Sequence, residues 1–200
     1  MKQFVHRGGL PGEDGKSRLA KLRAAATPAG KAYSEGLARK KEKKWPEAIK
    51  AFQNCVALDA NHSKAWFWLG QSYYLQNGSK NCEASYEPYT RCIALDPKHA
   101  EAHLNLGNLL KTVRKDYDGA EKMYRKAIEL NPKFTSPLWN LSLILEDQKN
   151  DIPGAIKAVE EYIRRDDPDN DGDNINSTRT SLRTTRASLC TAKTPNGGRT

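Results

Sequence analysis

The feature that most constrains this chain is a repeat. Small residues recur in matched contexts at Gly36 (Glu35-Gly36-Leu37), Gly70 (Trp66-Phe67-Trp68-Leu69-Gly70), Gly107 (His103-Leu104-Asn105-Leu106-Gly107) and Ser142 (Leu138-Trp139-Asn140-Leu141-Ser142), at steps of 34, 37 and 35 residues. Downstream of each lies a second matched segment: Ala48 to Phe52, Ser85 to Tyr89, Ala120 to Tyr124 and Ala155 to Val159. A third mark closes the units at Leu58-Asp59-Ala60, Leu95-Asp96-Pro97, Leu130-Asn131-Pro132 and, slipped by one, Asp166-Asp167-Pro168. A unit this short cannot bury an apolar face alone, so the copies must stack on one another.

The periodicity inside each unit is helical. Apolar residues recur at three- and four-residue steps, as in Trp66, Leu69 and Tyr73, or Ala120, Tyr124, Ala127 and Ile128. Each unit therefore reads as two antiparallel helices, and the chain as all-α. Small residues at the glycine and alanine positions let the paired helices approach, while the large ones fill the space beside them. Cys55 and Cys92 take such small slots and read as packing thiols. Proline after the second helix falls where a helix must stop, and Thr27-Pro28 reads as a cap followed by a first-turn proline. Pro88 would break a helix interior, so the second helix of unit two is predicted to begin near Ser85 or to bend at Pro88, with Gln76 to Asn81 as an extended turn before it.

These marks resemble the tetratricopeptide repeat, whose pattern W-x2-L-G-x2-Y, A-x3-F, A and P recurs at about 34 residues. Unit two carries Trp66, Leu69, Gly70, Tyr73, Ser85, Tyr89, Cys92 and Pro97; unit three carries Leu106, Gly107, Ala120, Tyr124, Ala127 and Pro132. Unit one has Gly36, Ala48, Phe52 and Cys55 with Ala60 in the proline place, and unit four keeps Leu138, Leu141, Ala155 and Val159 but has Tyr162 where a small residue is expected. The resemblance implies a right-handed α-solenoid of antiparallel helix pairs. It divides the chain into a basic segment at 1–26 with a short helix over 16–26, four repeats at 28–62, 63–99, 100–134 and 135–168, and a Ser/Thr/Arg-rich tail at 169–200 expected to be disordered. In that tail Ile175, Leu182 and Leu189 recur at seven, the spacing of a capping helix.

Charge and composition exclude several functions. The net charge of +9 invites a nucleic-acid reading, but residues 1–26 hold six Lys/Arg against two acids and 169–200 hold five against three, so most of the excess lies in the ends. No apolar run reaches the length of a membrane span, and Met1 to His6 has no apolar region behind its charge, unlike a secretory signal. A cytoplasmic or nuclear location is expected, with Cys55, Cys82, Cys92 and Cys190 as thiols. The cysteines lack paired spacing and His6, His62, His99 and His103 are scattered, with His103 standing in the slot of Trp66, so neither a metal nor a cofactor is expected. The acids from Asp166 to Asp173 do not match a calcium loop, because Gly172 comes too early and Thr180 stands where an acid is required. No nucleophile, phosphate-loop or metalloprotease motif occurs, so no catalysis is expected. The run Arg39 to Lys44 sits at a predicted helix C-terminus, where cations meet the dipole favourably.

What remains is a binding surface. The first helix of each unit is expected to line a concave face presenting Phe67, Trp68, Gln71 and Tyr74 from unit two, Leu104, Asn105, Asn108 and Lys111 from unit three, and Trp139, Asn140 and Leu143 from unit four. Aromatic rings supply area and amides pair with an extended backbone, so a partner peptide or helix is the expected ligand. The alternative is that Phe67, Trp68 and Trp139 only pack against neighbouring helices. Asn105 and Asn140 resemble the backbone-gripping asparagines of O-GlcNAc transferase repeats, which Ser34 and Trp68 do not match; a substrate-recruiting part of a larger enzyme such as a glycosyltransferase is the alternative function. Chaperone-binding members of the family hold a C-terminal carboxylate with lysine, arginine and asparagine. Those places here hold Tyr33, Leu37, Trp68, Glu101 and Asn105, or one unit later Phe67, Gln71, Asn105, Ser136 and Asn140, so the resemblance does not extend to a carboxylate clamp.

Overall fold

The computed structural model describes residues 15–77 and 82–166, and these contain helices and turns without a strand. The helices are α1 (Gly15–Ala26), α2 (Pro28–Lys41), α3 (Trp45–Leu58), α4 (Ser63–Asn77), α5 (Tyr86–Leu95), α6 (Ala100–Leu109), α7 (Tyr117–Leu130), α8 (Ser136–Asp147) and α9 (Ile152–Asp166). Most of the Gln76–Asn81 turn, the whole 169–200 tail and the acids from Asp167 to Asp173 lie outside the described residues. Two compact units divide the chain, Met1–Asp96 and Pro97–Thr200. In the first, α2 pairs with α3 and α4 with α5; in the second, α6 pairs with α7 and α8 with α9. The all-α helix-pair class follows directly.

Local chemistry explains where the helices begin. Thr27 accepts a hydrogen bond from the Gly30 amide at 3.0 Å, with Pro28 in the first turn where its missing N–H costs nothing. Asp116 and Asp151 cap α7 and α9 in the same way, accepting from Gly119 at 2.8 Å and Gly154 at 3.0 Å. A Cβ on either of those glycines would collide with the capping carboxylate, so each Asp-x-x-Gly is a matched set. His62 and His99 cap α4 and α6 through Nδ1, accepting from Ala65 at 3.2 Å and Ala102 at 3.3 Å. In repeat two a 3-10 turn over Glu83–Ser85 precedes α5, which starts at Tyr86, so Pro88 sits in the first turn and no interior hydrogen bond is lost.

Each helix pair closes on a ring. Phe52, Tyr89 and Tyr124 on the second helices are essentially fully buried, and they lie against Gly36, Gly70 and Gly107 on the first. A Cβ at Gly70 would stand 2.8 Å from the Tyr89 ring, and one at Gly107 would stand 2.7 Å from that of Tyr124. Ser142 holds the glycine place in the last pair, where the ring position is Val159, and its hydroxyl donates to the Trp139 carbonyl at 2.8 Å. Cys55, Cys82 and Cys92 are wholly buried and outside any disulfide. Burial, with Asp59 and Asp96 nearby, pushes Cys55 up to about 11 and Cys92 up to about 12, so both stay protonated and inert.

Trp66 and His103 occupy one slot and make one bond. The Trp66 indole N–H donates to the Ala60 carbonyl at 2.8 Å, and His103 Nε2 meets the Pro97 carbonyl at 3.1 Å, each six residues back. The carbonyl requires the Nε2–H tautomer of His103, leaving Nδ1 buried without a partner.

Two outcomes follow from this packing. Gly70→Ala should lower unfolding stability by about 1–2 kcal/mol through overpacking against Tyr89, whereas Ser142→Ala should stay within about 0.5 kcal/mol, both read by denaturant titration. For His103, burial foremost, then Lys126 and His99, holds the pKa below its ordinary 6.5 against the opposing Pro97 carbonyl. Its contribution is full above the unfolded pKa and is lost as pH falls through the depressed folded value. The melting temperature should therefore drop as pH falls below the ordinary histidine value, and His103→Trp, which keeps a donor without a titration, should shrink that drop.

Candidate functional site

In the first unit the candidate surface is built around Trp68 on α4. Its half-buried indole lies beside the Tyr33 hydroxyl on α2, whose pKa it draws down against burial, and the Lys40 ammonium lies 3.3 Å above its ring centroid. Tyr33 in turn stacks near His62 with ring centroids 4.5 Å apart, and burial raises its pKa. Trp68 is thus held on one side by a phenol and on the other by a cation. Gln71 and Tyr74 follow it along α4, both half-buried. Phe67 faces elsewhere: it is 4% exposed, with its ring 6.2 Å from that of Tyr89, and it belongs to the α4–α5 core.

In the second unit three residues from three helices meet. Asn108 Oδ1 on α6 accepts from the Tyr124 hydroxyl of α7 at 2.8 Å and from Asn140 Nδ2 of α8 at 3.0 Å. Both lone pairs of that oxygen are used, which fixes the orientation of the amide. The bond leaves the Asn108 NH2 as a donor and the Asn140 carbonyl oxygen as an acceptor, the two kinds of group that a peptide unit pairs with. Asn105 is half-buried one turn earlier, while Leu104 is buried.

After Leu109 the helix widens into a π turn over Leu110–Arg114. Lys111 lies in this turn and, with Thr112, Tyr117, Leu143, Ile144 and Asp147, lines a cavity of about 250 Å3. Burial lowers the Lys111 pKa, opposed by Asp147. Trp139 is 48% exposed and leans on Tyr162 of α9 with ring centroids 5.7 Å apart. That contact explains why Tyr162 replaces the small residue expected there: it backs an exposed indole.

Three of the residues that complete these clusters, Tyr33, Lys40 and Tyr124, were not among the candidates drawn from the sequence. Tyr124 belongs by pattern and burial to the core, and its hydroxyl reaches past the core to the Asn108 amide. Lys40 was absorbed into the basic run of α2; its signal was its place four residues after Gly36, the register of Lys111 after Gly107. Among the described residues no group of three or more His, Cys, Asp or Glu could hold a metal ion, and no helix is long and apolar enough to cross a membrane.

Comparison with known proteins places this geometry. Models of the tetratricopeptide repeat match residues 33–80 and 113–171, and a further one matches 89–122. No curated protein sequence matches the chain. Among solved structures, a crystal structure of MamA is similar at 21% identity, covering 77% of this chain and 87% of that one with a TM-score of 0.65. The Arabidopsis OM64 TPR domain is similar at 16% identity over 64% of this chain and 98% of its own, with a TM-score of 0.55. The first TPR of Spaghetti (RPAP3), bound to the HSP90 peptide SRMEEVD, is similar at 19% identity over 59% and 90%, with a TM-score of 0.54. At these identities the likeness establishes the fold.

The amide pair has a direct test. Tyr124→Phe keeps the ring against Gly107 but removes the hydroxyl, and should cost about 1 kcal/mol. The Asn108 and Asn140 side-chain amide signals in nuclear magnetic resonance spectra should then exchange faster with solvent; unaltered signals would show that Tyr124 does not brace the pair.

Proposed function

This chain belongs to the tetratricopeptide repeat family, and from that premise we propose that it is a non-enzymatic adaptor whose first helices bind an extended segment or a helix of a partner protein. The observation that carries this reading is the Asn108–Asn140 pair, a fixed donor and acceptor on adjacent first helices of the second unit. Fixing the amides in advance removes much of the ordering cost that a flexible surface would meet on binding. In the first unit Trp68, Gln71 and Tyr74 supply aromatic area with an adjoining amide. Asn105, Lys111 and Leu143 extend the second-unit surface, and Trp139 offers an exposed ring. Phe67 and Leu104 act from beneath, as the floor under those residues.

A structural relative with a bound peptide supports a peptide on this fold. The residues that hold a terminal carboxylate in chaperone-binding members are not reproduced here beyond Asn105, so recognition of an internal segment is favoured over that of a chain end. Three buried, protonated thiols fit a reducing compartment such as the cytoplasm.

A peptide array probed with the full chain tests the reading. Asn105→Ala combined with Asn140→Ala should weaken an array-selected peptide about tenfold or more, with the circular dichroism spectrum and melting temperature retained. Wild-type affinity in the folded double variant would remove the groove assignment.

A further inference from the structure

Two lysines share one register of the repeat. Lys40 stands four residues after Gly36 and Lys111 four after Gly107; the same place holds Tyr74 in repeat two and Glu146 in repeat four. Both lysines are half-buried, and neither makes an ion pair with a carboxylate among the described residues. Their neighbours behave otherwise: Arg39 and Lys44 share Glu42, at 3.4 and 2.9 Å. Lys40 instead lies over the Trp68 ring, and Lys111 lines the cavity beside Leu143, Ile144 and Asp147, whose carboxylate acts on it without forming an ion pair.

A lysine on a helix surface normally extends into water, where a carboxylate adds little to it. These two ammonium groups are already partly stripped of water and confined, so an arriving carboxylate meets a positioned donor in a lower dielectric. Burial pushes the pKa of each lysine down from its ordinary value, consistent with that partial desolvation.

Resting on the groove reading above, we propose that each unit's surface takes an acidic partner segment, an internal Asp or Glu side chain meeting Lys40 in the first unit and, independently, Lys111 in the second. The aromatic and acidic residues at the same place in repeats two and four confine the preference to alternate repeats. Each unit then reads one carboxylate in a set place, so the partner is a polypeptide with placed Asp or Glu side chains rather than a uniform polyanion.

A positional-scanning library of short peptides, amidated at the C-terminus to remove the terminal carboxylate, is the probe, with the position under test fixed as Glu, Gln or Lys. Against the full chain, Glu should exceed Gln by about tenfold at one position or more, and Lys should be disfavoured. Lys40→Met and Lys111→Met, which keep the aliphatic stem, should each abolish the preference at one position while leaving the melting temperature within a few degrees. Binding that ignores Glu, or a Glu preference untouched by both variants, overturns the proposal and leaves the peptide groove standing. No peptide binding at any position removes the groove reading itself. Equal binding of every acidic sequence, or of polyglutamate and nucleic acid alike, also overturns the proposal, because it would mean charge alone is read.

Discussion

Each regular pair depends on an aromatic ring pressed into the gap left by a missing side chain. With glycine at positions 36, 70 and 107, the rings of Phe52, Tyr89 and Tyr124 lie closer to the first-helix backbone than any Cβ would allow. Dispersion falls steeply with separation, so this approach sets how tightly a pair can close. The flanking small residues, Ala48, Ala120 and the thiols of Cys55 and Cys92, follow from the same demand. The last pair departs at both partners: Ser142 carries a Cβ, and the ring is replaced by a smaller, half-buried Val159.

Much of this was legible in the sequence because it is periodic. The glycine register, the helix pairing and the substitution of His103 for Trp66 are all visible in aligned copies. The structure adds why His103 is accepted: its Nε2 reaches the same carbonyl, six residues back, that Trp66 uses in its own repeat. Other features had no such signal. Lys43, Lys115 and Asn150 each adopt a left-handed backbone, with φ of 58°, 56° and 51°, in the turn between the helices of their pair. Only asparagine among them favours that conformation, so residue type alone would not have placed the turns. The π turn at Leu110–Arg114 was equally invisible, since its sequence continues the helical pattern.

The surface was legible as helix face but not as contact. Counting along a helix brings Trp68, Gln71, Asn105, Asn108 and Asn140 to related positions, yet it cannot tell which will touch. Asn108 and Asn140 lie 32 residues apart, and Tyr124 comes to them from a second helix that the pattern had assigned to the core. Phe67 errs in the other direction: position suggested an outward ring, while the α5 ring of Tyr89 covers it. In both cases the missing information is a partner on another helix, and a pattern within one segment does not carry it.

Tyr124 consequently has two masters. Its ring wedges the α6–α7 pair against Gly107, and its oxygen, at the far end of the same rigid phenol, steers an amide that ligands would meet. Drift at this residue cannot relax cohesion without blurring the amide beyond it, so inheritance of a firm interior also preserves the exterior chemistry. Novelty is freer at Leu143 and Lys111, whose side chains take no part in the wedge and can be retuned while the frame behind them stays as it was.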